Sequence, residues 1–351
     1  MADSDDAFLR HDTSAPAALE GKFDRNRHLL PIFAGPQGAD PALPDQTEAD
    51  FLDRARGCLL GLAIGEAMGS SVEYLPRDGF DPVTGLAGGG PLDLAAGEWT
   101  DGTAMALCLG QSLLDCQTVE QHDFMTRLAA WITTGAQTVQ GRSLAVGATT
   151  RVAIDSFLDD DEAAAGTAEA TGAGNGSLIR LAPVAIFAAR SPEAARFLAT
   201  KQSRATHATI EVLDACELFT AQLVDALRGA GRDQALRPRV MQLTPNTLAI
   251  NGGEWRGKTR DQVRSGAYVV DTLDAALWAV GTTDSFADAV LTAANLGGDA
   301  AGVAAVAGQL AGALYGAAAI PPDWRAGVAW ADRLETMAAD LAREGAVSYP
   351  G

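Results

Sequence analysis

Between Val303 and Tyr315 the apolar residues Val303, Val306, Ala307, Leu310 and Leu314 recur at the three-and-four spacing of one α-helix face. Gly308, Gly312 and Gly316 line the edge of that face at every fourth position. A stripe without side chains predicts close packing against a second helix. Val212, Cys216, Phe219 and Leu223 repeat the helical pattern between Thr209 and Leu227. Phe51–Met68 and Thr103–Leu114 are further apolar runs rich in small residues. Period-two alternation is absent, and Tyr268–Val270 is too brief for a sheet. Hydrophobic residues make up 47% of the 351-residue chain and aromatics only 6%. The expected fold is therefore all-α, a single multi-helix bundle spanning 49–345. Residues 1–48, with Pro16, Pro31, Pro36, Pro41, Pro44 and an apolar patch at Leu29–Phe33, read as an extended arm. Residues 346–351 read as a tail.

Charge narrows the partners. Acidic residues number 45 and basic ones 26, a net charge of −19, which disfavours a nucleic-acid backbone. A small anion is still admissible, because helix N-termini act locally. Cys58, Cys108, Cys116 and Cys216 form no C-x-x-C pair and read as buried thiols in a reducing, cytoplasmic setting. The opening MADSDDAFLR lacks an apolar leader core. The apolar stretch Leu59–Met68 is interrupted by Gly65 and Glu66, so no membrane span is expected. No fixed-period repeat is present, and a monomer is the default. The loops expected are Gly85–Gly97, Asp159–Gly176 and Pro245–Gly257.

Four segments place Gly, Asp, Asn or Thr where a plain helix would not favour them. They are Arg56–Gly69 followed by Glu73, Gly97–Met105 with Thr100 and Asp101, Gly174–Pro183 with Asn175, Gly176 and Ser177, and Asn295–Gly302 with Gly297, Gly298 and Asp299. Asp101 and Asp299 stand at loop-to-helix junctions, where an aspartate serves as an N-cap or faces a ligand. Gly-rich turns such as Gly174–Gly176 let backbone N–H groups reach anionic oxygens. Trp99 and Trp278 read as core residues. His11, His28 and His122 carry no motif. No Ser-His-Asp triad or phosphate-binding P-loop is readable.

In this order, the four segments resemble the ADP-ribosylglycohydrolase family. Ser203–His207, Val270–Trp278 and Ile320–Trp324 agree with it, and the likeness covers Phe51 to Leu341. The resemblance implies an all-α orthogonal bundle with two Mg²⁺ ions in a central cleft beside the ribose of ADP-ribose. It implies ADP-ribose or an ADP-ribosylated protein as partner. Carried onto this chain, it implies Asp101 and Glu73 as catalytic groups and Thr100, Asp101 and Asp299 as metal ligands. Asn175, Gly176, Ser177, His207, Gly297 and Gly298 would contact the substrate.

The departures from the family pattern are specific. Gly102 stands where the family has a second Asp, and Ala301 and Gly302 replace an Asp and a Thr. None of the three side chains carries an oxygen. Glu66 replaces an Asp. Mg²⁺ needs hard oxygen ligands, and two close ions need a shared anion. One weakly held Mg²⁺ or none is therefore expected. Three readings follow: a hydrolase of ADP-ribosyl bonds with reduced activity or metal dependence, an inactive ADP-ribose-binding protein, or a scaffold that keeps only the fold.

Overall fold

The computed structural model describes residues 43–350. The arm expected over 1–48 lies outside these residues except for its last six positions, and its Leu29–Phe33 patch, His11 and His28 lie outside them too. Among the described residues the regular structure is fifteen α-helices and short 3₁₀ turns, with no β-strand. Isolated bridges join Thr167 to His207 and Gly174 to Tyr268.

The first helix, Glu48–Ser70, begins with a capping box between Thr47 and Asp50. It is buried almost throughout its second half, Gly57 to Ser70. It runs antiparallel to the helix Ala300–Tyr315, and glycines bring the two into backbone contact. A Cβ added at Gly61 would lie 2.1 Å from Gly308 O, and one at Gly57 would lie 2.4 Å from Gly312 O. Gly65 and Gly69 meet Ala304 and Ala300 in the same register. The stripe at Gly308 and Gly312 is thus half of a glycine seam. Gly316 is not part of it: with φ +82 it ends the helix, and a Cβ there would strike Asp53.

Other helices wrap this pair. Ile210–Leu227 starts at Thr209, whose side chain accepts from Val212 N, and its face Val212, Cys216, Phe219 and Leu223 is buried. Trp99 and Trp278 are core residues, with indole N–H groups bonded to Ala329 O and Lys258 O. Three cysteines are buried, Cys116 is partly exposed, and all four are free.

Two boundaries differ from expectation. Pro245–Gly252 is a helix rather than a loop, because proline is accommodated in the first turn and Gly253, at φ +91, then terminates it. The last helix, Ala331–Ser348, runs into the segment read as a tail, since Leu341, Ala342 and Gly345 are buried. Among the described residues no helix is long and apolar enough to cross a membrane.

Candidate active site

The glycine seam fixes the site. It sets the C-terminal end of Glu48–Ser70 beside the N-terminal end of Ala300–Tyr315, and the helix Asp101–Cys116 starts against the same place. Neither of the latter two helices has a cap from its own N-cap side chain, Thr100 or Asp299. The first four N–H groups of a helix need acceptors. Here both starts are served by acids from the first helix and the turn after it.

Glu66 serves Asp101–Cys116. Its carboxylate is buried and accepts from Gly102 N at 2.7 Å, Thr103 N at 2.8 Å, Thr103 Oγ1 at 2.5 Å and Thr100 Oγ1 at 2.9 Å. Burial pushes its pKa up, and those four bonds oppose the shift. Gly102 leaves room for this arrangement. A Cβ there would lie 2.9 Å from Glu66 Oε1 and 2.4 Å from Ile179 Cγ2. The longer acid at position 66 reaches into the space beside the missing side chain at 102.

Glu73 serves Ala300–Tyr315, accepting from Ala301 N at 2.7 Å. It is buried, and burial first, then the charge of Asp299, raises its pKa to about 9. Asp299 has its pKa raised by burial, while Asn175 and Glu73 bond to it and hold the charged form. Both carboxyls are therefore pushed towards holding a proton, and the charge of Asp299 adds to that push on Glu73. Asn175 Nδ2 donates to Asp299 Oδ2 and to Thr272 Oγ1, the latter at 2.8 Å. Gly302 faces this contact: a Cβ there would lie 2.4 Å from Asp299 Oδ2.

Asp101 is partly accessible between the two groups. Burial, then Glu66 and Asp299, raise its pKa well above the ordinary carboxylate value. Asp101 and Asp299, 198 positions apart in the chain, are therefore close enough to act on each other electrostatically. Tyr74 rims it, 65% exposed and held at φ +62, a conformation costly for an aromatic residue.

The remaining predicted residues divide. His207 is buried with its ring beside the Gly174–Gly176 turn, where a Cβ on Gly176 would lie 3.1 Å from the His207 Cε1. Ser177 turns inward instead: its Oγ accepts from Ser203 Oγ at 2.8 Å and lies 3.5 Å from Cys216 Sγ. Gly297 and Gly298, at φ +67 and +68, clamp the turn that carries Glu73. Their N–H groups donate to Ala294 O and Leu75 O, so neither is a free donor. His122 is exposed and pairs with Asp161. The sequence reading passed over Thr103 and Thr272, and it gave Glu66 no task. The available signal for Glu66 was an acid set inside a Gly-rich apolar helix.

The residues present do not fit a bridged pair of Mg²⁺ ions. The Glu66 oxygens are taken by four donors, and one oxygen each of Glu73 and Asp299 is turned to a protein donor. Positions 102, 301 and 302 offer no side-chain oxygen. Among the described residues no group of three or more His, Cys, Asp or Glu is arranged to hold a metal ion.

Glu66, Glu73, Asp101 and Asp299, from three helix termini, thus meet at one place in an all-helical fold. The chain belongs to the ADP-ribosylglycohydrolase family, whose model matches residues 47–351. It is 47% identical over 295 residues to the ADP-ribosylarginine hydrolase Tri1 of Pseudomonas putida (strain GB-1), covering 84% of this chain and 79% of that protein. It is 33% identical over 276 residues to the ADP-ribosyl-[dinitrogen reductase] glycohydrolase of Rhodospirillum rubrum, covering 78% and 89%. A solved structure described as an ADP-ribosylglycohydrolase-related protein complex superposes with a TM-score of 0.76 at 36% identity, covering 85% of this chain and 99% of that one.

Proposed function

We propose that this chain recognises ADP-ribosylated protein side chains, arginine foremost, and hydrolyses the glycosidic bond to ADP-ribose. Its dependence on Mg²⁺ is weaker, and its turnover slower, than in relatives with the full oxygen set. The observation that carries this reading is the convergence of Asp101, Glu73 and Asp299 at one place, with Glu73 buried against Asp299 and bonded to Ala301 N. The names of the 47% and 33% identical relatives support the substrate class.

The chemistry follows from the two protonation states. A water oxygen forms a bond to the anomeric carbon as the bond from that carbon to the guanidine nitrogen breaks. Asp101, a stronger base than a free aspartate, takes the proton of the water. Glu73, which keeps its proton to about pH 9, supplies one to the departing nitrogen. Asn175 holds Asp299 in place, and Asp299 holds the proton on Glu73.

The test is incubation with an arginine-ADP-ribosylated protein. Free ADP-ribose should appear faster than in the blank, and Asp101→Asn should slow its release roughly 100-fold. Release at the blank rate overturns the hydrolase reading. A second reading rests on Glu66, whose carboxylate already satisfies the helix start beside Gly102. Under it the cleft holds ADP-ribose without cutting, and calorimetry shows binding that EDTA leaves unchanged while no release occurs.

A further inference from the structure

Arg180 is fully buried and forms no ion pair with a carboxylate among the described residues. A buried cation without an anion is costly unless its N–H groups are used. Its Nε donates to Gln202 Oε1 at 2.8 Å, and Nη2 donates to Gln202 O at 3.0 Å and to Thr206 Oγ1 at 2.8 Å. The guanidinium also lies 4.9 Å from the ring centre of Phe124. Nothing in the proposed reaction uses this arginine directly.

Its bond to Thr206 has a consequence one residue on. Thr206 Oγ1 lies 2.7 Å from His207 Nδ1. Arg180 occupies a lone pair of that oxygen, and the hydroxyl proton has no other acceptor among the described residues. The proton therefore points to Nδ1, and the nearby cation makes the hydroxyl a better donor. Burial, then Arg180, lowers the His207 pKa to about 3, so the ring is neutral. A neutral imidazole that accepts at Nδ1 carries its proton on Nε2. Nε2 has no hydrogen-bond partner among the described residues, although His207 is only 2% exposed. It faces the Gly174–Gly176 turn: a Cβ on either glycine would lie 3.4 Å from it, with the Thr149 and Thr150 hydroxyls alongside.

We propose that Arg180, acting through Thr206, is a positioning residue that fixes His207 as the Nε2–H tautomer. The nitrogen beside the Gly174–Gly176 turn is then a hydrogen-bond donor to an oxygen of the ADP-ribosyl group. The opposite tautomer would set a nitrogen lone pair against that oxygen. The ligand half of this proposal rests on the function proposed above; the tautomer half does not.

The experiment is long-range nitrogen-15 NMR of the histidines in the ligand-free full chain, with His207 identified by the signals lost in His207→Asn. The wild-type protein should show a protonated Nε2 and an accepting Nδ1. Thr206→Val, which keeps the shape and removes the hydroxyl, should lose that pattern and weaken ADP-ribose binding about 10-fold by calorimetry. Thr206→Ser should restore both. Folded Arg180→Met should shift the tautomer as Thr206→Val does; if it does not fold, the Thr206 pair decides. An Nδ1–H ring in the wild-type protein overturns the proposal. So does a Thr206→Val protein with tautomer and affinity intact. If ADP-ribose fails to bind the wild-type chain, the functional reading falls and the ligand-free spectrum still decides the relay.

Discussion

The two helix starts that meet at the acid cluster solve one problem in two ways. Asp101–Cys116 is closed by Glu66, whose two oxygens accept four protein donors and leave nothing over. Ala300–Tyr315 is closed by Glu73 with one bond to Ala301 N, and burial beside Asp299 raises the pKa of that acid. The first arrangement is saturated and structural. The second receives fewer donors and has a raised pKa, which is what the proposed acid role needs. Neighbouring carboxylates therefore differ in role according to how many donors the backbone supplies to each.

Removing Glu66 is the largest blow to this contrast. Glu66→Ala strands two backbone N–H groups and two hydroxyls in a buried place, and should cost roughly 3 kcal/mol in urea unfolding. A loss below about 1 kcal/mol would mean that the closure at Asp101–Cys116 is not structural. Glu73→Gln should behave in the opposite manner. Its amide oxygen can still accept from Ala301 N and its neutral form resembles protonated Glu73, so below about pH 4.5, where the wild-type side chain is protonated folded or unfolded, stability should change by less than about 1 kcal/mol. ADP-ribose release, in contrast, should fall about 100-fold. Equal losses of stability in the two variants would erase the distinction.

The proton can be followed by pH. The folded-state pKa of Glu73, about 9, lies above its ordinary 4.5, so the folded chain binds that proton more tightly than the unfolded chain. The stability this adds is complete below about pH 4.5 and is lost as pH rises through about 9. Relative to the wild-type protein, Glu73→Gln should gain stability steadily between those limits. A difference that stays flat with pH would place the proton elsewhere.

The smallest effect concerns metal. Restoring oxygens with Gly102→Asp, Ala301→Asp and Gly302→Thr meets occupied space, since Glu66 Oε1 and Asp299 Oδ2 lie where the new side chains would begin. Shortening the neighbour with Glu66→Asp in the same chain should raise Mg²⁺ affinity further, measured by calorimetry, than the three substitutions alone. Equal affinity with and without Glu66→Asp would mean that Glu66 does not fill the place of the missing acid.

The amino-acid sequence by itself determined the helical class, the glycine face at Gly308 and Gly312, the family resemblance and the loss of oxygens at 102, 301 and 302. These are local properties: a period of 3.6, a missing Cβ and the identity of a side chain are all readable in one dimension. The tertiary structure decided what Glu66, Glu73, Ser177 and Arg180 do. Glu66 meets Thr100 across 34 positions, Glu73 meets Ala301 across 228, and Asn175 meets Asp299 across 124. Whether a buried carboxylate is a cap or an acid depends on how many donors reach it, and whether His207 offers a proton depends on which atom Thr206 faces. Donor counts and directions of that kind exist only once the chain has closed on itself.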